Sequence, residues 1–326
     1  MKVLVTGGAG YIGSHTAQEL IDEGIEVVIF DNFSSGKREL IPGGTVYAGD
    51  LRDQSDLEKV FRQHDIQGVL HFASLIEVGE SYKDPQKYYH HNLITSLNLL
   101  HAMRHASVNH FIFSSSAAVY GMPEQLPIPE THPLNPTNPY GCTKFFIEKI
   151  LLDHERAYGL RFISLRYFNA AGADPEGRRG EMHKPETHLI PNILLRLLGK
   201  KKTFSLYGSD FSTPDGTAVR DYVHVTDLAK AHVLALNKLP ALEKSHFINL
   251  GTNEGFSVLE VIKKVEAVTG QKISYSVKPR RKGDVDVLVA SREKAKKVLN
   301  WELDHSDLDT IIQTAWDWHK KKSNQK

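Results

Sequence analysis

Residues 3–15, Val3-Leu-Val-Thr-Gly-Gly-Ala-Gly-Tyr-Ile-Gly-Ser-His15, constrain the fold more than any other stretch of the chain. The apolar run Val3 to Val5 suits a short strand buried on both faces. Gly7, Gly10 and Gly13 follow at three-residue spacing, and an amphipathic run carries Ala17, Leu20 and Ile21 on one side. The order is strand, tight glycine turn, helix. Glycine meets three separate needs there: a sharp turn, close approach of the backbone to a pyrophosphate, and close packing of helix on strand. Free N–H groups at the helix start then face phosphate. A second apolar run, Val27-Val-Ile-Phe30, ends in Asp31-Asn32. That acid lies about 20 residues beyond the glycines, where dinucleotide sites bind a ribose hydroxyl. A carboxylate there would repel an added 2′-phosphate, so the expected cofactor is NAD rather than NADP. The competing role for Asp31 is simply to start the turn Asn32-Phe-Ser-Ser-Gly36.

The alternation continues. Thr45 to Ala48 reads as a third strand ending at Gly49-Asp50-Leu51, and Asp53 to His64 has helical periodicity. Gly68 to Phe72 is a fourth strand, followed by the small residues Ala73 and Ser74 before Leu75. Lys87 to Ala106 is a long helix carrying Asn92; His110 to Ser114 is a fifth strand, opening into Ser114-Ser-Ser116. A proline-rich surface loop over 122–139 leads to a helix that ends at Gly159. Phe162 to Arg166 is then a sixth strand with Tyr167-Phe-Asn169 at its end. Strands alternating with helices predict a doubly wound parallel α/β sheet. Ligands in such sheets sit beyond the carboxyl ends of the strands. Asp31, Asp50, Phe72 and Ser114 to Ser116 all fall there.

Beyond residue 170 the pattern loosens, with a polar Gly/Pro-rich stretch over 170–186, helices expected over 227–239, 257–269 and 304–319, and a strand at Phe247 to Leu250. The reading is a nucleotide domain of residues 1–169 plus about 221–245, and a smaller irregular α/β domain of 170–220 plus 246–326. A length of 326 residues suits two domains. Net charge is +1 and no basic stripe interleaves with aromatics, so nucleic acid is not an expected partner. Cys142 is the only cysteine, which fits a reducing compartment. The chain opens into a strand and no apolar run approaches a membrane span, so the expectation is a cytoplasmic protein. His101 and His105 lie one helical turn apart with no accompanying acid; they read as a solvated face, and no metal site is expected.

Tyr140 and Lys144 are four residues apart and share a helix face. A phenol near pKa 10 is a poor base at neutral pH. A neighbouring ammonium and the positive ring of an oxidised nicotinamide favour its phenolate. Ser116, just past a strand end, can share a proton with Tyr140 and a sugar oxygen.

These residues resemble the extended short-chain dehydrogenase/reductase family, and within it the UDP-sugar 4-epimerases, over essentially the whole length. The resemblance rests on Thr6 to His15, Asp31-Asn32, Val78-Gly-Glu-Ser81, Ser114-Ser-Ser116 and Tyr140-Gly-x-x-Lys144. It extends through Arg166-Tyr-Phe-Asn169, Asp215-Gly-Thr-x-Val-Arg-Asp-Tyr222 and Arg281-x-Gly-Asp284. It implies a Rossmann-type NAD domain and one tightly held NAD, lined by Gly7, Gly10, Tyr11, Ile12, Gly13, Asp31 and Asn32. Asp50 and Leu51 would flank the adenine; Phe72, Ala73, Leu75, Asn92, Ser114, Tyr140, Lys144 and Tyr167 would complete the pocket. UDP-sugar would meet Ser116, Tyr140, Asn169, Leu189, Ser205, Tyr207, Arg220, Arg281 and Asp284. Arginine suits a diphosphate because its planar fork pairs with phosphate oxygens.

The implied reaction is 4-epimerisation of UDP-sugars, mainly UDP-glucose and UDP-galactose, as in galactose metabolism. The sugar is transiently oxidised to a 4-keto form and the hydride returns to its opposite face. The family also implies a homodimer through two helices, for which Lys87 to Ala106 and Thr143 to Tyr158 are the candidates. Three positions depart from the family pattern. Ile76 stands where many members carry Lys near the cofactor ribose. Ala118 stands for Thr. His188 replaces an Asn and is expected to contribute to sugar or uracil recognition. Leu288 falls where members carry a gatekeeper beside the sugar 2-position, which would admit N-acetyl sugars slowly; its competing role is core of a strand over 285–290. Alternatives are an epimerase for UDP-N-acetylglucosamine or UDP-pentoses, and a non-catalytic NAD sensor. A 4,6-dehydratase needs an acid after Ser116, where this chain has Ala117-Ala118.

Overall fold

The computed structural model describes residues 1–281 and 283–324. The first half runs β1 (Lys2–Thr6), α1 (Tyr11–Asp22), β2 (Glu26–Asp31), β3 (Thr45–Ala48), α2 (Gln54–Gln63), β4 (Gly68–His71), α3 (Val78–Lys83), α4 (Pro85–His105), β5 (His110–Ser116), α5 (Pro139–Tyr158) and β6 (Arg161–Tyr167). Then come β7 (Asn169–Ala171), α6 (Leu189–Leu197), β8 (Ser205–Tyr207), β9 (Val219–Arg220), β10 (Tyr222–His224), α7 (Val225–Lys238) and β11 (His246–Leu250). The chain finishes with β12 (Phe256–Ser257), α8 (Val258–Thr269), β13 (Ser276–Lys278), β14 (Val287–Leu288), α9 (Glu293–Leu299) and α10 (Leu308–Asn324).

Seven strands form one sheet in the order β11-β6-β5-β4-β1-β2-β3. Every pairing in it is parallel. Successive side chains on a strand point to opposite faces. Val3 and Val5 therefore enter a core shared with α1 and α7, while Leu4 enters a second core shared with α2, α4 and α5. Both faces being covered explains why these strands read as continuous apolar runs. Strand order reverses between β1 and β4, and a crevice opens there at the carboxyl ends.

Helix ends follow their capping residues. Asn138 Oδ1 accepts the Gly141 N–H at 2.8 Å ahead of Pro139, and Gly159 ends α5 with φ +71°. Ser257 and Glu260 form a reciprocal capping box on α8. A third core joins α6, α8 and α10 through Ile190, Ile193, Val261, Val265, Ile311 and Trp316.

Three expectations are corrected. Strand β11 hydrogen-bonds to β6 inside the main sheet, so a boundary at 245 cuts one strand from the nucleotide domain. β11 is the edge strand beside β6, and α9 packs on it. Helices α3, α6 and α9 were not expected; they are only 6, 9 and 7 residues long. The strand expected over 285–290 is confined to Val287–Leu288, and burial across the segment does not alternate.

Candidate active site

The glycine turn is dictated by contact distances. Gly7 has φ +72°, and a Cβ on it would lie 2.6 Å from Ala73 N. A Cβ on Gly13 would lie 2.3 Å from the Gly7 carbonyl oxygen. One on Gly10 would lie 3.1 Å from that same oxygen. Glycine lets α1 start against the end of β1, leaving its first N–H groups directed at the crevice. These positions fit the cradle that a dinucleotide pyrophosphate requires. Ile12 follows in the same first turn. Tyr11 is a partial departure: its hydroxyl donates to the Gly172 carbonyl at 2.6 Å, so its side chain ties α1 to the loop after β7.

Asp31 does two jobs. Its Oδ2 accepts Ala9 N–H at 3.0 Å and its Oδ1 accepts Phe33 N–H at 2.8 Å. Burial raises its pKa, and those two N–H groups pull it back. The turn role and the ribose role weighed for this acid are thus compatible, because a carboxylate has about four lone-pair sites. Asn32 Nδ2 donates to Asp50 Oδ2 at 3.0 Å, and Arg52 forks onto the same carboxylate. Arg52 is the main reason that Asp50 titrates well below the usual carboxylate range. Leu51, beside it, is buried against Phe30 and Leu57 in the second core.

Across the switch point, Phe72 and Ala73 continue from β4. Leu75 is gripped by Asn92 at both backbone groups, with Leu75 N–H to Oδ1 at 2.8 Å and Nδ2 to Leu75 O at 3.1 Å. Asn92 Nδ2 also donates to Thr143 Oγ1 at 3.0 Å. The Asn92 amide expected in the cofactor pocket is therefore engaged in positioning the β4 loop against α5. Ile76 is 39% exposed and makes no polar contact, as the loss of an amine requires.

Lys144 is buried on α5 and donates from Nζ to the Ser114 carbonyl at 2.8 Å. Burial pushes its pKa down to about 7, against a pull upward from Glu148 one turn later. Ser114 Oγ and the Tyr167 hydroxyl are hydrogen-bonded. Tyr140 lies on the same face of α5, with Lys144 Nζ 5.8 Å from its ring centroid. Burial raises the Tyr140 pKa, and a hydrogen bond from Ser116 lowers it. Desolvation is the larger influence, and Ser116 is the group that opposes it. Ser116 also accepts the Ala118 N–H at 3.2 Å. Ala118 backs onto Gly141, where a Cβ would lie 2.5 Å from the Ala118 carbonyl, so this segment packs tightly on the start of α5.

The expected substrate residues form a second group. Asn169 Nδ2 donates to the Asp221 carbonyl at 2.9 Å, next to Arg220. Arg220 pairs in register with Leu288, and burial lowers its pKa while Asp284 counteracts. Arg281 lies 4.3 Å over the Tyr207 ring. Ser205 shares a strand face with Tyr207 at two-residue spacing. Leu288 packs on Ala117, Val119 and Tyr120, the segment that follows Ser116. The two groups therefore adjoin, and Gly283 sits against Tyr82 of α3 across the same seam. Leu189 opens α6. His188, its cap residue, has Nδ1 hydrogen-bonded to Glu181, in a cluster with His183 and Glu186. Two closely spaced Glu-x-His triplets, Glu181-Met-His183 and Glu186-Thr-His188, were the sequence signal for this cluster.

A glycine-cradled helix start with Ser, Tyr and Lys over the adjoining strand ends defines a nucleotide-dependent site of the short-chain dehydrogenase/reductase class. The family model described as NAD dependent epimerase/dehydratase family matches residues 3–251. The chain belongs to that family. It is 50% identical to a UDP-glucose 4-epimerase of Rhizobium leguminosarum bv. trifolii over 323 residues, which covers 99% of this chain and 98% of that one. Its fold matches UDP-glucose 4-epimerase from Brucella ovis in complex with NAD, with TM-score 0.94, 45% identity and 97% of each chain covered. It also matches the enzyme from Bifidobacterium longum in complex with NAD+ and UDP, with TM-score 0.95, 42% identity and 99% of each chain covered. Among the described residues, no helix is long and apolar enough to cross a membrane.

Proposed function

We propose that this chain is an isomerase that interconverts UDP-sugars at C4, with UDP-glucose and UDP-galactose as its main pair. The observation that carries this is the placement of Tyr140 and Lys144 on one face of α5, with Ser116 against Tyr140 and Lys144 bonded to Ser114 at the end of β5. Gly7, Gly10, Ile12, Gly13, Asp31 and Asn32 would hold NAD. Bound NAD supplies the hydride acceptor and donor for sugar C4, together with a positive ring that favours the phenolate. Tyr140 takes the 4-hydroxyl proton and later returns it, with Ser116 sharing that proton at the sugar oxygen. Lys144, fixed to Ser114 O, holds positive charge beside the phenol. Arg220 and Arg281 grip the diphosphate while the sugar turns.

Incubation with UDP-galactose, followed by separation of the products, tests the reading. UDP-glucose is expected without added cofactor, and NAD rather than NADP is expected on denaturing extraction. A chain that binds NAD and UDP-sugar but gives no product is a sensor instead.

Two finer statements rest on the same reading. Leu288 gates the sugar 2-position, so UDP-N-acetylglucosamine turns over slowly: an apolar wall offers the acetamide no hydrogen bond, costing about 1–3 kcal/mol. In Leu288→Tyr the N-acetyl activity falls selectively; equal loss of both activities makes Leu288 plain core. The chain also forms a homodimer through α4 and α5, which leave Ile94, Leu97 and Phe146 36%, 39% and 42% exposed. Light scattering of wild type against Leu97→Glu/Phe146→Glu decides this, with a monomeric wild type ruling it out.

A further inference from the structure

The loop between β7 and α6 brings four potential metal ligands together within eight residues. One ligand atom from each of Glu181, His183, Glu186 and His188 lies within 4.8 Å of all the others. Both imidazoles turn Nδ1 to the same atom, Glu181 Oε1; the bond from His183 measures 2.8 Å. The carboxylates of Glu181 and Glu186 are each only 3% exposed. Neither pairs with a Lys or Arg side chain among the described residues. Lys201, the nearby amine, donates to the Glu186 backbone carbonyl and to Asn192 instead. Thr187 N–H and His188 N–H both fall on Glu186 Oε1. No hydrogen bond among the described residues reaches Oε2 of either acid.

The other cluster of this kind, Asp227 with Asp304 and His305, is a useful contrast. Asp227 is saturated by Asp304 N–H, His305 N–H and Ser306 Oγ, and Asp304 is paired with Lys230. That arrangement is a structural cap. The loop cluster has two buried carboxylates with unused oxygens and two imidazoles aimed the same way. Apart from its own two imidazoles, no cationic side chain among the described residues pairs with its acids: Tyr11 of α1 stands edge-on to His183 at 6.2 Å, and Thr187 bonds Glu77.

We infer that Glu181, His183, Glu186 and His188 form a binding site for one first-row divalent cation, zinc by its donor set of two imidazole nitrogens and two carboxylate oxygens. Four such donors match tetrahedral zinc, whose bonds of about 2.0–2.2 Å place ligand atoms roughly 3.4 Å apart. The four ligand atoms already lie within 4.8 Å of one another, and the His183–Glu181 pair at 2.8 Å needs only to separate slightly to reach that spacing. Its role is positional. The ion fixes the cap of α6 and the loop that touches α1, so it sets the surface between the glycine turn and Leu189.

The test uses tag-free, full-length protein with its cofactor. Elemental mass spectrometry after zinc loading and dialysis is expected to find about one zinc per chain. Glu181→Gln/His183→Gln is expected to retain less than a tenth of that, with NAD content and circular dichroism unchanged. Cobalt substitution of wild type gives a reading that needs no variant: paramagnetically shifted ring N–H signals from two histidines. Wild type without stoichiometric zinc, equal retention in the variant, or no shifted histidine signals overturns the inference. Metal content is independent of epimerase turnover, so this outcome and that of the activity assay are separable.

Discussion

The cofactor side and the substrate side of this site are built by different means. At the ends of β1, β2 and β5, functional groups are fixed by contacts only a few residues or one strand away. Gly13 meets Gly7, Asp31 meets Ala9, and Lys144 meets Ser114. On the substrate side, Arg281 lies over Tyr207 and Arg220 pairs in register with Leu288, across 74 and 68 residues of chain and on strands of two or three residues or the turn beside them. In that second group Tyr207 and Arg281 are exposed, while Asn169, Arg220 and Leu288 are half-buried. A glycine turn held by close contacts, proposed for the cofactor, beside a partly open group proposed for the substrate suits a reaction in which one partner stays and the other turns over. It also means that changes on the first side should act on chemistry and folding, and changes on the second on binding.

The largest expected effect breaks the chemistry alone. Tyr140→Phe should lower kcat by about 10²–10⁴-fold while UDP and NAD remain bound, since only the proton-transferring oxygen is lost. Steady-state kinetics with equilibrium binding checks this, and near-normal turnover removes Tyr140 from its role. Gly13→Ala should come next. Its Cβ meets a backbone oxygen that cannot swing aside, so overpacking of about 1–3 kcal/mol and loss of NAD are expected. A melting curve and cofactor content report both; an unchanged NAD occupancy would show that the cradle yields.

Lys144 sharpens the comparison through pH. Burial holds its folded pKa near 7, below the unfolded value of 10.5. Between those values the unfolded chain binds the extra proton, so stability of cofactor-stripped protein rises as pH increases from 7 toward 10. Below pH 7 both states are protonated and the full penalty stands. From pH 7 to 9 the gain from this group is at most about 2–3 kcal/mol. Lys144→Met should flatten that part of the profile and also abolish turnover. Parallel denaturation profiles for wild type and variant would mean that Lys144 is solvated rather than buried.

The smallest effect belongs to the open side. Arg281→Ala should raise KM for every UDP-sugar by a similar factor of about ten, with kcat nearly kept, because the diphosphate is common to all. A change for one sugar and not another would place Arg281 at the sugar instead.

The sequence alone determined the parts whose information is local. The glycine turn, the acid closing β2, the shared helix face of Tyr140 and Lys144, and the alternation of strand and helix each lie within about one structural unit, so spacing and period expose them. Resemblance across the whole chain then pointed to residues such as Arg220 and Arg281. Tertiary structure decided what depends on distant neighbours. Asn92 is an amide of α4 whose partners Leu75 and Thr143 lie 17 and 51 residues away. Strand β11 is assigned to the main sheet by its hydrogen bonds to β6, 83 residues earlier at the pair His246 and Ile163. Tyr140 needed the burial of its surroundings before its pKa had a direction, since desolvation is a property of packing and not of spacing. His188 turned to Glu181 because an irregular loop brought two acids and two imidazoles to one point; the paired Glu-x-His triplets name the residues, but only the fold of the loop sets them together.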